Sequence, residues 1–444
     1  MWTCKSHRIY LVVVCQQLQF HDAWAKHALK KLFLSAKLRL VCGFGDTIGQ
    51  MRTLDFVFFD AGGGHRAAAN ALRQVMERQG RQCEIRMVNL QELLDPIDVV
   101  RKVTGLRLED LYNTMLRKGW TLGSPQLTVF MHLGIRVFHG QQVRRLVEFW
   151  RKSRPDLVVS LVPNFNRALG ESLRRALPGV PFVTILTDIA DYPPHFWIER
   201  QEQHLICGSD KAVAQALEMG HAPAKVRRVS GMILNPQFYE IAPLGAQERT
   251  EARARLGLRP EEPVGLVLFG AQGAAAMLGI ADALQDRQLV LVCGHNRTLR
   301  AKLEAMPHRA PLVVEGFTRD VPRYMQLADY LIGKPGPASI SEAVAMRLPV
   351  IVESNAWTLP QERYNPEWIR EQGVGVVLPN FRGIGRAVEE MLEPSAFARF
   401  HAATGRLHNR AVFEIPDILE EILDESTSSP TRRAANAKSG LMDG

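Results

Sequence analysis

The chain reads as an α/β protein built from two doubly wound domains, and three observations predict it. Short apolar runs alternate with helix-like segments from residue 54 to about residue 378, the pattern of parallel strands covered on both faces by helices. The alternation falls into two series, separated by a charged stretch after Pro243. Glycine-bearing turns follow the ends of several strands, where doubly wound folds hold their ligands across a cleft. A chain of 444 residues that is 46% hydrophobic has enough apolar surface for two separate cores.

Residues 1–50 precede the pattern. Ile9 to Cys15 is a short apolar run behind Lys5 and Arg8, and Gln16-Gln17 follows it instead of a small-residue cleavage site, so it does not read as a signal peptide. Met51 immediately precedes a well-formed first strand, and 1–50 is expected to be an extension, non-native or disordered. The N-terminal domain, 51–243, has strands expected at 54–60, 83–89, 157–162, 181–187, 204–208 and 226–230. The C-terminal domain, 244–400, opens on a charged helix (Gln247 to Leu256) and continues with strands at 264–269, 288–293, 312–316, 328–333, 348–353 and 374–378. A helix in 401–425 is expected to pack back on the N-terminal domain, and 426–444 has the composition of a disordered tail.

One stretch breaks the alternation. Residues 101–151 combine Trp120, Leu122, Leu127, Val129, Phe130, Met131, Val137 and Phe138 with Arg117, Lys118, Arg136, Arg144, Arg145, Arg151 and Lys152. Such a mix suits a helix lying on a membrane interface and equally two ordinary helices packed on the first sheet. The net charge of +9 has its basic excess in the first half of the chain. By itself that fits a nucleic acid or an anionic membrane surface and does not choose between them. No apolar run approaches the roughly 20 residues of a membrane-spanning helix. The six cysteines are scattered without a C-x-x-C pair, as expected for reduced core thiols and not for a zinc site.

The most informative segment runs from Phe58 to Ala69. A strand-like run enters Gly62-Gly63-Gly64, and His65 and an alanine-rich helix leave it. Glycines at a strand-to-helix turn admit close approach, the helix N-terminus favours developing negative charge, and a histidine there can take a proton near neutral pH. Gly62, Gly64 and Ala67 also satisfy G-x-G-x-x-[GA]. The dinucleotide pattern, however, wants an acid ending the second strand, and that strand runs into Asn89.

The second series carries the sharper phosphate signal. Gly333-Lys334-Pro335-Gly336-Pro337-Ala338-Ser339-Ile340-Ser341-Glu342 follows a strand and opens a helix. Backbone N–H groups at such a turn suit a diphosphate, and Glu342 is placed to accept from ribose hydroxyls. A second reading makes Ser339-x-x-Glu342 a capping box. Gln361 and Glu362, in Leu359 to Asn365, offer donors and acceptors together, as sugar hydroxyls require. Two further turns, Gly270-Ala271-Gln272-Gly273 and Cys293-Gly294-His295-Asn296, sit at strand ends of the same domain.

Taken in order, these motifs resemble the inverting GT-B glycosyltransferases that include monogalactosyldiacylglycerol synthases and diacylglycerol glucosyltransferases, and more distantly the enzyme that adds N-acetylglucosamine to lipid I. The resemblance runs from about Asp55 to Val377 and rests on Gly62 to Arg66, Thr187-Asp188 with Trp197, Gly294-x-Asn296, Gly316-Phe317, Lys334 to Glu342, and Gln361-Glu362-x-x-Asn365. It implies an N-terminal lobe that takes a lipid acceptor, with His65 as general base and Gly62, Gly63, Gly64 and Asp188 in acceptor-side loops. It implies a C-terminal lobe that takes a UDP-hexose through Gly270, Gly273, Asn296, Phe317 (near uracil), Lys334, Gly336, Pro337, Ala338, Ser339, Glu342 (ribose), Gln361 and Glu362 (hexose). In the phosphate turn Ala338 stands where the family usually has glycine.

The implied reaction moves galactose or glucose to diacylglycerol or a similar lipid, with inversion to a β-glycoside. No cofactor or metal is expected, and no D-x-D motif occurs in the chain. The expected setting is peripheral, on the cytoplasmic face of an anionic membrane, without nucleic acid. The alternatives are transfer to another acceptor, a UDP-sugar epimerase of the same fold, and a nucleotide-sugar-binding protein without catalysis.

Overall fold

The computed structural model describes residues 51–60, 64–95, 132–193 and 195–428. Their core is two parallel six-stranded sheets, and all twelve strands fall where the sequence predicts them. The first sheet contains β1 (Arg52–Phe58), β2 (Cys83–Asn89), β3 (Leu157–Ser160), β4 (Phe182–Ile185), β5 (His204–Cys207) and β6 (Val226–Arg228), in the order β2-β1-β3-β4-β5-β6. The second contains β7 (Val264–Leu268), β8 (Gln288–Val292), β9 (Leu312–Glu315), β10 (Tyr330–Gly333), β11 (Val350–Glu353) and β12 (Gly375–Leu378), in the order β12-β11-β10-β7-β8-β9. The central strands read as unbroken apolar runs because both faces are covered: Leu54, Phe56 and Val57 of β1 and Leu266, Val267 and Leu331 of β7 and β10 have no exposure.

Each sheet reverses its strand order at one place, between β1 and β3 in the first and between β7 and β10 in the second. A crevice opens there because the connections leave toward opposite faces. Helix α1 (Gly64–Arg78) starts just beyond β1, which puts His65 at the first crevice. The turns 270–273 and 334–336 lie at the second.

Between β2 and β3 run α2 (Leu90–Leu94) and α3 (His139–Ser153). Asn89, where a dinucleotide fold would place its ribose acid, accepts a hydrogen bond from the backbone N–H of Gln91 at 3.1 Å and caps α2. Helix α3 buries Val143, Leu146 and Trp150 at helical spacing, and Trp150 Nε1 donates to Ser172 Oγ at 2.9 Å on α4 (Asn166–Ala176). This part of the amphipathic stretch is therefore an ordinary core-packed helix. Leu133 and Val137 just ahead of it remain 57% and 69% exposed. Trp120, Leu122, Leu127, Val129, Phe130 and Met131 lie outside the described residues.

The remaining helices are α5 (Asp210–Glu218) and α6 (Gln237–Glu240), then α7 (Ala246–Arg255), α8 (Ala276–Ala283), α9 (Arg297–Glu304), α10 (Val321–Leu327), α11 (Pro337–Ala345), α12 (Asn365–Gln372), α13 (Ile384–Leu392), α14 (Pro394–Arg406) and α15 (Ala411–Ser428). Helix α15 closes the first sheet from the far end of the chain. Val412, Ile415, Leu419, Ile422 and Leu423 join the core made by Leu54, Phe56, Leu72 and Met76. Its acidic face meets basic groups of the N-terminal lobe: Arg81 pairs with Asp417 and Glu420, and Arg52 with Asp424 at 2.6 Å. The Gly231 turn admits Asn409, whose Nδ2 donates to Met232 O at 2.8 Å; a Cβ on Gly231 would lie 2.6 Å from Asn409 Cγ.

Candidate active site

On the N-terminal side His65 stands in the first turn of α1 and its ring is half-buried. Nδ1 lies 3.0 Å from Thr187 Oγ1, in a hydrogen bond between the start of α1 and the loop after β4. Burial pushes the imidazole down to about 4, so it is neutral across the physiological range. The ring also lies 5.8 Å from that of Trp197, tilted by 57°. Gly62 and Gly63 lie outside the described residues. A Cβ added at Gly64 would meet open space.

Asp188 is buried and accepts from Trp197 Nε1 at 2.8 Å. Burial pushes its carboxyl up to about 7, the indole hydrogen bond opposes that, and the charge of Glu362 adds to it while Lys334 pulls it down. Glu362 and Lys334 belong to the other lobe, and their charges reach Asp188. Trp197 is held by Asp191, which is buried and accepts from the backbone N–H groups of Trp197 at 2.6 Å and His195 at 3.1 Å. Asn164 and His195 on the adjoining loops take left-handed backbones, φ 68° and 64°, a cost of order 1–3 kcal/mol each that a surrounding structure must hold in place.

On the C-terminal side the phosphate-type turn is built as the sequence suggests, with one correction. Gly336 is the N-cap of α11 and Pro337 is its first residue, so the helix starts three residues before a Ser339 cap would allow. Ser339 and Glu342 therefore form no capping box. Proline at the first helical position has its φ already set and has no N–H to leave unpaired. Glu342 sits in the second turn, half-buried. Burial pushes its carboxyl up to about 8. Pro337, Ala338 and Ser339 form the turn's accessible rim.

Lys334 Nζ donates to Glu362 Oε1 at 2.7 Å, joining the turn after β10 to the loop that carries Gln361. A Cβ on Gly336 would lie 3.3 Å from Lys334 Cε, so the glycine leaves room for that lysine. Asn365 Nδ2 donates to Pro335 O at 2.7 Å and braces the turn from behind. Gln361 is half-buried beside Glu362.

The other two turns are mutually fitted. Gly294 has φ 59°, and a Cβ there would lie 2.1 Å from Ala271 O. Gly273, φ 58°, would bring a Cβ to 2.9 Å from Cys293 O, whereas Gly270 faces open space. Asn296 caps α9 by accepting from Leu299 N at 3.0 Å, and its Nδ2 reaches Gln272 O at 3.3 Å; its side chain ties the two loops together. Phe317, 52% exposed, stacks on His295 with centroids 4.1 Å apart and planes 14° apart, a flat ledge suited to a planar base.

Sequence reasoning passed over three contacts here: the Thr187 hydroxyl on His65, the His295 ring under Phe317, and Asp191 as the organiser of the Trp197 loop. The second acid of Asp188-x-x-Asp191 was visible in the chain. The other two depend on segments that only the fold brings together.

Two doubly wound lobes with ligand-type loops facing each other across a cleft define the GT-B class of glycosyltransferase folds. The structure matches that of MurG from Acinetobacter baumannii with a TM-score of 0.52 at 13% identity, covering 83% of this chain and 99% of that one. Within the class the chain is similar to the monogalactosyldiacylglycerol synthases. The family model for monogalactosyldiacylglycerol (MGDG) synthase matches residues 65–232. A probable monogalactosyldiacylglycerol synthase 2, chloroplastic, of Oryza sativa subsp. indica is 28% identical over 355 residues, 74% of this chain and 71% of that protein. The monogalactosyldiacylglycerol synthase, chloroplastic, of Spinacia oleracea is 26% identical over 391 residues, 82% and 71% of the two chains.

Proposed function

We propose that this protein transfers a hexose, galactose in the reading its relatives favour, from a UDP-sugar to the free hydroxyl of diacylglycerol, with inversion to a β-glycoside. The observation that carries this reading is that the family match begins at His65 and ends at Met232, the lobe that would receive the acceptor.

In this mechanism the acceptor oxygen attacks the anomeric carbon while the bond to the UDP oxygen breaks. His65 takes the acceptor proton. A low resting pKa keeps it unprotonated and ready, and the attacking hydroxyl becomes acidic as its bond to carbon forms. On the opposite wall, charge growing on the diphosphate meets the N-terminus of α11 and the Lys334 ammonium. Glu342 accepts from ribose, the Phe317–His295 ledge supports the uracil, and Gln361 and Glu362 read the hexose. Departure of UDP then requires no bound metal ion.

No helix among the described residues is long and apolar enough to cross a membrane. Leu133 and Val137 are exposed beside Arg136, Arg144 and Arg145, which supports docking of the N-terminal lobe on an anionic surface, on the cytoplasmic face, from which diacylglycerol is drawn.

The test is UDP release from UDP-galactose, UDP-glucose or UDP-N-acetylglucosamine with vesicles of diacylglycerol and anionic phospholipid, followed by identification of the glycolipid. Galactosyl-diacylglycerol is the expected product. Release of UDP with none of these donors would sink the reading, and free N-acetylmannosamine or its UDP form as product would point to the epimerase alternative.

A further inference from the structure

We infer that Thr187 is a positioning residue for the reaction: its hydroxyl accepts the Nδ1 proton of His65 and so leaves Nε2 as the ring's proton-accepting atom. This rests on His65 being the base.

The geometry carries the inference. A neutral imidazole has one protonated and one bare nitrogen; a hydroxyl beside Nδ1 can accept from Nδ1–H or donate to a bare Nδ1, and acceptance leaves Nε2 as the bare nitrogen. Among the described residues Thr187 is the hydrogen-bond partner of that ring, at 3.0 Å on Nδ1. Histidine bases are commonly oriented by a carboxylate, and one stands next door at Asp188. Its Oδ2 is instead committed to Trp197 Nε1 at 2.8 Å. The role of orienting group thus falls to a neutral hydroxyl.

That choice has a chemical consequence. A carboxylate on Nδ1 would favour the imidazolium and raise its pKa, whereas a hydroxyl accepts the same hydrogen bond without adding charge beside a half-buried ring. The ring stays neutral until the reaction supplies a proton. During the displacement the acceptor O–H bond breaks, the oxygen-to-anomeric-carbon bond forms, the anomeric-carbon-to-UDP bond breaks, and the proton moves to Nε2. Nδ1–H remains bonded to Thr187 throughout and donates more strongly once the ring is charged. Trp197, whose ring lies 5.8 Å from that of His65, borders the same pocket, and Asp188 and Asp191 hold it there.

The experiment compares Thr187→Val, Thr187→Ser and His65→Ala in the full chain, with UDP-galactose and diacylglycerol vesicles as substrates. Thr187→Val is expected to lower kcat by about 10–100-fold, by analogy with the loss of the outer hydrogen-bond partner of a metal-ligating histidine, with KM for UDP-galactose within about twofold. Thr187→Ser, which keeps the hydroxyl, is expected to retain at least about a third of kcat on the same argument.

A second measurement does not depend on turnover. Nitrogen-15 NMR of histidine-labelled protein, with the His65 signal identified from its loss in His65→Ala, reports which ring nitrogen carries the proton. The Nδ1–H tautomer is expected in the parent and Thr187→Ser chains, and a mixture in Thr187→Val. An Nε2–H tautomer in the parent chain, or wild-type kcat in Thr187→Val while His65→Ala is inactive, overturns the role of Thr187 and leaves the base reading standing. Full activity in His65→Ala overturns the base reading itself. If Thr187→Val does not fold, the parent-chain tautomer and the Thr187→Ser rate still decide the matter.

Discussion

The two lobes share an architecture and differ in how they are completed. The C-terminal sheet is covered mainly by helices from its own stretch of chain, with Leu234 and Phe238 joining from just before it, and its site is made of turns fitted to one another: Gly294 against Ala271 O, Asn296 onto Gln272 O, Asn365 onto Pro335 O. The N-terminal sheet needs α15, from the other end of the chain, to bury one face. Its site is made of side chains from different segments, half-buried His65 on Thr187 and buried Asp188 on Trp197. A lobe that holds a charged, hydrophilic ligand can present backbone groups and a few carboxylates on rigid turns. In the proposed mechanism the N-terminal lobe manages one proton beside a lipid, which requires control of a single nitrogen on a half-buried ring.

The sharpest way to break this contrast is to remove the proton acceptor. His65→Ala is expected to lower kcat by about 10²–10⁴-fold, as general bases do, while UDP affinity measured by calorimetry changes little. A variant that loses both together would mean that the lobes do not divide the labour as described.

The next effect is on stability. Leu419 of α15 has no exposure, and Leu419→Ala is expected to cost about 2–5 kcal/mol in chemical denaturation. Hydrogen exchange should place the loss in β1 and α1 before the C-terminal sheet. Uniform loss across both sheets would show that α15 serves the whole molecule and not one lobe.

On the donor side, Gly294→Ala places a Cβ against Ala271 O from a left-handed backbone. It is expected to cost about 1–3 kcal/mol, with a rise in KM for UDP-galactose. A variant with unchanged melting temperature would argue that the two turns are not mutually dependent.

The smallest effect separates ligand contact from burial at Glu342. Glu342→Gln is expected to weaken UDP binding about tenfold, the loss of roughly one hydrogen bond to ribose. Its stability should change with pH in a defined direction. Burial raises Glu342 from 4.5 to about 8 and Asp188 from 3.8 to about 7. The folded chain therefore keeps protons that the unfolded chain has released. Stability attached to these groups is fully present below about pH 4 and is lost as pH rises toward 7 and 8. The variant and the parent should melt alike near pH 4, and the variant should be the more stable at pH 8.

Much of the site was legible because its motifs are local. The position of Gly336 to Glu342 between strand and helix follows from residues a few positions apart. The second reading offered there, the capping box, falls away because Pro337 is the first helical residue, three positions ahead of the start that a Ser339 cap would set. What could not be read are contacts between residues far apart in the chain. Lys334 meets Glu362, 28 residues on, and His65 meets Thr187, 122 residues on. Neither spacing has any local signature.

The amino-acid sequence alone determined the twelve strands, their division into two series and the glycine turns at their ends, because alternation, burial pattern and backbone permissiveness act over a few residues. Tertiary structure alone decided which turns share a cleft, that α15 closes the N-terminal core, and that a threonine hydroxyl and not the neighbouring aspartate holds His65. These depend on the order in which strands lie in each sheet and on which side chain reaches a partner first. A crowded interior settles such choices through the packing of many residues at once.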